Sequence, residues 1–374
     1  MKITKVVIRK VAVPMVTSFE TSFGTISDKE TVLTELHTDE GLIGYGESSS
    51  FHSPVYNAET NDSCVYIQET FIAPAVIGKS FTTAQEFRDA YSSIVGNKIA
   101  QAGPESAFWH LLAQKQNKSL KELFGGKLSE IPVGESIGIK PSIQATLDEV
   151  AERLEQGFLR IKVKIKPGWD TEVLGAIRKK WPTIDLMADG NSAYVLGRDD
   201  ETLKALDKFK LTMLEQPLAH DDIIDHATLQ KRLKTPICLD ESIESVEDAR
   251  KAIEIGACKI INIKPGRVGG PIESMKIHDL CQKHGIGVWC GGLLETGIGR
   301  AFNIALASKA GYSLPADMSP YQFFYKEDLV EPSFVVKPNG HIDVSEEIGL
   351  GYAVRVARIE ELTTKKVEIN HVQK

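Results

Sequence analysis

The chain has 374 residues, 42% hydrophobic and 25% charged, and its 44 Lys and Arg against 51 Asp and Glu leave a net charge of −7. This is an ordinary globular composition, which excludes a disordered chain and a collagen-like fibre. An acidic mean field repels polyanions, so general nucleic-acid or membrane-surface binding is not expected.

The length admits two or three domains, or one large α/β barrel with an added domain, and supports a core that folds without a metal or disulfide staple. Residues 1–16 interleave Lys2, Lys5, Arg9 and Lys10 with apolar residues and lack the apolar centre of a signal peptide. No run approaches the ~18 apolar residues of a membrane span. The five cysteines, Cys64, Cys238, Cys258, Cys281 and Cys290, form no Cys-x-x-Cys pair. Four of them read as small hydrophobes, and the set points to a reducing, cytoplasmic compartment.

Residues 6–13 are β-branched and predict a strand. Residues 31–36 and 42–46, joined by Asp39-Glu40-Gly41, predict a hairpin. Between them, residues 17–27 are rich in Ser, Thr, Phe and Gly and read as an exposed flap. Residues 60–125 turn helical, with Phe108, Leu111 and Leu112 on one face of residues 105–116. Strands followed by helices make the first 125 residues an α+β unit.

From residue 130 short apolar runs alternate with amphipathic helices. The runs cover residues 131–139, 159–166, 185–191, 211–218, 236–242, 258–265, 287–293 and 312–317, with helices such as 144–156, 245–255 and 272–284 between them. Eight βα repeats close most simply into a (β/α)8 barrel. The last run is weak, and an open doubly wound sheet is the runner-up, but no Gly-x-Gly-x-x-Gly follows the first strand. Residues 330–374 return to strand-like text, with a frayed polar tail expected from Thr363. The expected division is an α+β cap over residues 1–125, a barrel over 126–325, and a return over 326–374 that packs on the cap.

Barrel active sites lie at the C-terminal ends of the strands. Read there in order, the chain offers Lys162-Val163-Lys164, Asp189-Gly190-Asn191, Glu215-Gln216-Pro217, Asp240-Glu241-Ser242 and Lys264-Pro265. Positions 164, 189, 215, 240 and 264 step by 25, 26, 25 and 24 residues, one βα unit each time. The five charges therefore stand at one height on successive strands. Three carboxylates so placed do not stay buried as unpaired anions, and oxygen-only ligation suits Mg²⁺, or Mn²⁺ in its place. Lys162 and Lys164 share one face of their strand. Strand six lies opposite strand two in a ring of eight, so Lys264 faces Lys164 across the mouth. Between them, a carboxylate substrate can lose its α-proton to a lysine while a dication stabilises the ene-diolate.

This set of residues resembles the enolase superfamily, in its muconate-lactonizing-enzyme-like group, over nearly the whole chain. That superfamily's lysine base with Mg²⁺ is itself a standard example of the mechanism. Val133-Gly134-Glu135-Ser136-Ile137-Gly138, Lys264 to Gly270, and Gly291 to Ala301 are similar to the o-succinylbenzoate synthase and N-acylamino acid racemase family. The resemblance implies that Lys164 and Lys264 are the opposed acid–base pair, that Lys162 tunes Lys164, and that Asp189, Glu215 and Asp240 hold the metal. It also implies cap specificity loops at 18–24 and 51–59, with substrate-binding positions Phe19, Phe23, Phe51, Ser136, Asn191, Arg267, Gly292 and Leu293. His110 stands where that family often has an acid, which bears only on cap packing. The Asp-x-Asp expected of dipeptide epimerases at strand eight is absent, since Ala316-Asp317-Met318 stands there.

The implied function is dehydration to o-succinylbenzoate in menaquinone biosynthesis. N-succinylamino acid racemisation is the alternative, and a muconate-type cycloisomerase is more distant. The implied partner is a small carboxylate, and the family is usually homo-oligomeric. A non-catalytic carboxylate-binding barrel is disfavoured by the presence of both lysines. The glycine-rich 291–299 stretch reads as backbone that approaches the substrate rather than as a phosphate site. His278 and His284, six apart on one helix, read as surface residues.

Overall fold

The computed structural model describes residues 1–16, 19–21, 24–26 and 29–371. The chain begins with β1 (Ile3–Val13). β2 (Phe19–Thr21) and β3 (Gly24–Ile26) pair antiparallel in the flap. The rest of the flap, Phe23 included, lies outside the described residues.

The expected hairpin is β4 (Lys29–Thr38) with β5 (Ile43–Ser48), in register Leu36 to Gly44. Its turn places Gly41 at φ +79°, in the left-handed region that favours glycine. The helix Lys98–Gln116 lies on this sheet with Phe108, Leu111 and Leu112 buried. Its backbone comes so close that a Cβ on Gly46 would stand 2.0 Å from the carbonyl oxygen of Gly103. Only glycine permits that approach.

The barrel strands are β6 (Glu130–Ile137), β7 (Arg160–Lys164), β8 (Asp185–Asp189), β9 (Leu214–Glu215), β10 (Ile237–Leu239), β11 (Ile260–Ile263), β12 (Gly287–Cys290) and β13 (Ala316–Asp317). Seven of the eight expected runs contain one, and β6 begins one residue before its run. They are parallel in the order β12-β11-β10-β9-β8-β7-β6-β13. The ring is nearly closed by one parallel bridge, from Val288 of β12 to Tyr312 just before β13. Ser142 and Ser245 cap the helices Ile143–Glu155 and Val246–Ile255 with their side chains, as serine does best at that position.

Alternation along each strand sorts the side chains. Ile161 and Val163 of β7, Leu186 and Ala188 of β8, and Ile261 and Ile263 of β11 join the apolar layer between barrel and helices. The intervening positions face the barrel axis. Met187, Met213, Cys238, Ile260 and Trp289 form a separate apolar plug there. The five cysteines are buried and free. His278 is also buried, against expectation, stacked on Tyr312 at 4.9 Å with Nε2 3.0 Å from the Ala310 carbonyl. His284 is exposed.

The return is shared between the two units. β14 (Val330–Glu331) pairs with β16 (Ala353–Val354), and β15 (His341–Asp343) adds antiparallel to β6 of the barrel. β17 (Thr363–Asn370) then joins the cap sheet beside β1, giving the order β17-β1-β4-β5. From Thr363 to Asn370 the tail is thus a strand and not frayed, and residues 372–374 lie outside the described residues. Val367 and Ile369 pack on the cap core, and the hydrogen-bonding edge of β1 needs a partner. Among the described residues no helix is long and apolar enough to cross a membrane.

Candidate active site

The side chains facing the axis at the strand ends line a cavity with about 640 Å³ of empty space, part of it open solvent. Lys162 and Lys164 come from β7, and Lys264 follows β11, four strands away. Beneath them Asp189 ends β8, Glu215 ends β9 and Asp240 follows β10, at 1%, 0% and 0% exposure. The period-two rule carries each inward, because the apolar residue before it, Ala188, Leu214 or Leu239, points to the helices.

Each carboxylate is held by cations. Lys164 Nζ donates to Asp189 Oδ2 at 2.6 Å and to Asn191 Oδ1 at 2.7 Å. Lys162 Nζ lies 3.1 Å from Glu215 Oε2 and 3.7 Å from Asp189 Oδ2. Lys264 Nζ donates to Asp240 Oδ2 at 2.7 Å. Burial opposes charge on Asp240, but Lys264 and Arg267 outweigh it and hold the carboxyl down at about 2. Glu215 behaves oppositely: burial and the neighbouring Asp189 push it up to about 8. Glu241, hydrogen-bonded from Asn191 Nδ2 at 2.8 Å, is pushed up to about 7 by burial, Asp240 and Asp189, and its Oε2 is buried without a partner.

The three carboxylates do not converge as they stand. Among the described residues no group of three or more His, Cys, Asp or Glu side chains is arranged around a common metal position. The chemistry of the donor set nonetheless fits a hard divalent cation. The donors are oxygens only, they are buried, and they repel one another enough to raise Glu215. Asp189, Glu215 and Asp240 are the residues that could hold it.

Ser136, Asn191, Gly292, Leu293 and Phe51 line the cavity. Ser136 Oγ is buried with no hydrogen-bond partner. Phe19 lies on β2, and Phe23 lies outside the described residues. Arg267 is a correction. It does not line the cavity but is buried behind it, with Nη1 on Asp240, Nη2 2.6 Å from the Asn262 carbonyl and Nε 2.9 Å from the Ile243 carbonyl. These bonds turn the guanidinium towards the strand ends. Lys162 makes no direct contact with Lys164. Its ammonium is engaged by carboxylates and lies 4.9 Å from the Trp289 ring centre.

Sequence reasoning missed several lining residues. Asp317 of β13 lies 2.5 Å from Lys162 Nζ and also pairs with Arg160. These cations overcome burial and hold its carboxyl far below the usual range. Its place at the end of strand eight was the available signal. Tyr56 reaches in from the cap, its hydroxyl 3.2 Å from Lys264 Nζ. Leu294, Arg300, Ser319 and Phe324 complete the wall.

Residues 3–125 match the family model of the mandelate racemase / muconate lactonizing enzyme N-terminal domain, and residues 145–358 that of the enolase C-terminal domain-like family. An o-succinylbenzoate synthase of Bacillus subtilis (strain 168) is 45% identical over 364 residues, 97% of this chain and 97% of that protein. An N-succinylamino acid racemase of Thermus thermophilus is 42% identical over 363 residues, 97% of this chain and 98% of that one. The crystal structure of a dipeptide epimerase from Cytophaga hutchinsonii, complexed with Mg and a dipeptide, superposes with a TM-score of 0.92 at 26% identity. It covers 99% of this chain and 100% of that one. With both domains matched and such relatives spanning its length, the chain belongs to the enolase superfamily.

Proposed function

We propose that this enzyme removes the α-proton of a carboxylate substrate, and that its principal reaction is dehydration to o-succinylbenzoate. The observation that carries the reading is the pair Lys164 and Lys264 on opposite strands of one cavity, above three buried carboxylates. Similarity to a synthase over 97% of both chains supports the product. On this reading Asp189, Glu215 and Asp240 hold Mg²⁺ or Mn²⁺, which supplies positive charge for the ene-diolate when bound. The relative that was crystallised with Mg supports this assignment.

Lys164 Nζ takes the α-proton, and the electron pair of that C–H bond enters the carboxylate of the substrate. The pair then expels the β-hydroxide on the same face. The Lys164 ammonium returns the proton to it, and water leaves. Lys264 stays a cation on the far face.

One base suffices for that reaction, so the second opposed lysine favours a second activity. In N-succinylamino acid racemisation Lys264 gives a proton to the face opposite Lys164, and the reverse direction exchanges the roles. The half-buried Tyr56 and Phe51 and the buried Leu293 exclude water from the reacting carbon. The reading places the enzyme in the cytoplasm, in menaquinone synthesis, as a homo-oligomer that acts on a small carboxylate. The test is a side-by-side rate comparison on the cyclohexadiene substrate and on N-succinyl amino acids in deuterated water. Absence of α-hydrogen exchange with all of them overturns the reading.

A further inference from the structure

The substrates proposed above carry two carboxylates, one beside the α-carbon and one at the end of the succinyl arm. Burying the second without a cation is costly. Four cationic side chains line the cavity: Lys162, Lys164, Lys264 and Arg300. The three lysines each lie within ion-pair distance of a carboxylate.

Arg300 differs. Its Nε donates to the Glu295 carbonyl at 3.1 Å and its Nη1 to the Ser319 carbonyl. Among the described residues it makes no ion pair, and its Nη2 makes no hydrogen bond. The residue is only 4% exposed. The Glu295 carboxylate, packed behind Gly292, hydrogen-bonds to nothing among the described residues and lies beyond ion-pair distance of Arg300. Two carbonyls and the Phe324 ring, 5.8 Å from Cζ, hold the guanidinium in place, and the buried Asp328 carboxylate acts on it only from beyond ion-pair distance. A pre-oriented planar donor with one open edge suits a carboxylate. It stands after β12, on the same quarter of the mouth as the Ser319 carbonyl after β13, and away from the metal-type carboxylates of β8 to β10.

We infer that Arg300 Nη2 is the subsite for a second anionic group, the terminal carboxylate of the acyl arm, so that the cavity selects dicarboxylates over acids with a neutral acyl group. The inference rests on the proposed reaction for its substrate class.

Calorimetric titration of the Mg²⁺-loaded full chain tests it with N-succinylphenylalanine and its succinamyl analogue, in which an amide replaces only the terminal carboxylate. The native enzyme binds the amide about 30-fold more weakly, the range of a charge-assisted hydrogen bond. Arg300→Met narrows that gap to about threefold or less, by weakening the carboxylate ligand alone. Arg300→Lys restores part of the gap. Equal binding of the two ligands by the native enzyme overturns the inference, whether or not the variants fold. So does an equal loss for both ligands in Arg300→Met, which assigns the side chain to holding the Ser319 loop. α-Hydrogen exchange on the same ligands separates the two ideas. Exchange with equal affinities removes the subsite and leaves the reaction. A binding gap without exchange removes the reaction and leaves the subsite.

Discussion

Lys164 and Lys264 face the cavity from strands four apart, so each can reach only one face of a flat ene-diolate between them. Lys164→Ala and Lys264→Ala are each expected to lower racemisation on the order of 1,000-fold. Each should still exchange the α-hydrogen of one antipode, the one that faces the remaining lysine. Proton NMR in deuterated water reads both effects, and substantial racemisation by either variant removes the two-base assignment. Asp317 offers a test of a different kind. It sits between the Lys162 ammonium and the Arg160 guanidinium, both buried. Asp317→Ala leaves two cations short of one partner, and urea unfolding should show a loss of about 3 kcal/mol. An unchanged midpoint would mean that the surrounding carboxylates compensate fully. The lysines and carboxylates were legible in the chain because each ends a strand of the same repeat. Asp317 ends the eighth strand too, but that position alone gives it no role until Lys162 is seen to point at it.

At the scale of elements, the joint between the helix Lys98–Gln116 and β5 responds to acid. Tyr45 N–H donates to Nδ1 of the buried His110 at 3.1 Å, so the ring must stay neutral at that nitrogen. Burial pushes its pKa down to about 4 from the ordinary 6.5. The unfolded chain takes up this proton first. The contribution is therefore whole above about pH 6.5 and is lost as pH falls towards 4, by at most about 3 kcal/mol. His110→Gln keeps an acceptor without the titration. Urea melts at pH 7.5 and 4.5 should show that the variant loses less stability than the native chain on acidification, and an equal loss would refute the argument.

β17 carries the second prediction at this scale. It pairs with β1 over residues 363–370, and Arg9 beside it is held by Glu35 and Glu360. Ending the chain at Leu362 removes Val367 and Ile369 and exposes the β1 edge, at a cost of about 4 kcal/mol from lost ladder bonds and apolar contact. A melting temperature within a degree of the full chain would show that the strand adds nothing. Its sequence looked polar because only alternate residues touch the core, and the β1 edge that recruits it lies more than 350 residues away.

The whole molecule is a cap set over a barrel mouth, and both contribute to one cavity. Tyr56 of the cap meets Lys264 of the barrel, and Ser49 Oγ donates to the Leu293 carbonyl at 2.8 Å. If Asp189, Glu215 and Asp240 hold the metal, chelation should abolish activity and Mg²⁺ or Mn²⁺ should restore it. Mg²⁺ at about a hundredfold excess over its dissociation constant should stabilise the native fold by about 2.7 kcal/mol, read as a rise of several degrees in melting temperature. The Glu215→Gln variant should show no such rise. Full activity after metal removal, or an equal rise in the variant, contradicts the assignment.

The residue order alone determined the eight-strand repeat, the inward lysines and carboxylates, and the superfamily. Those features depend on the two-residue alternation of a strand and on a step of 24 to 26 residues, both written in one dimension. Only the tertiary structure decided which cations meet which carboxylates. It turned Arg267 behind Asp240, brought Tyr56 to a lysine 208 residues away and left one edge of Arg300 open to the cavity. Such pairings are set by packing between segments, within the barrel and between barrel and cap, whose separation along the chain carries no periodic signal.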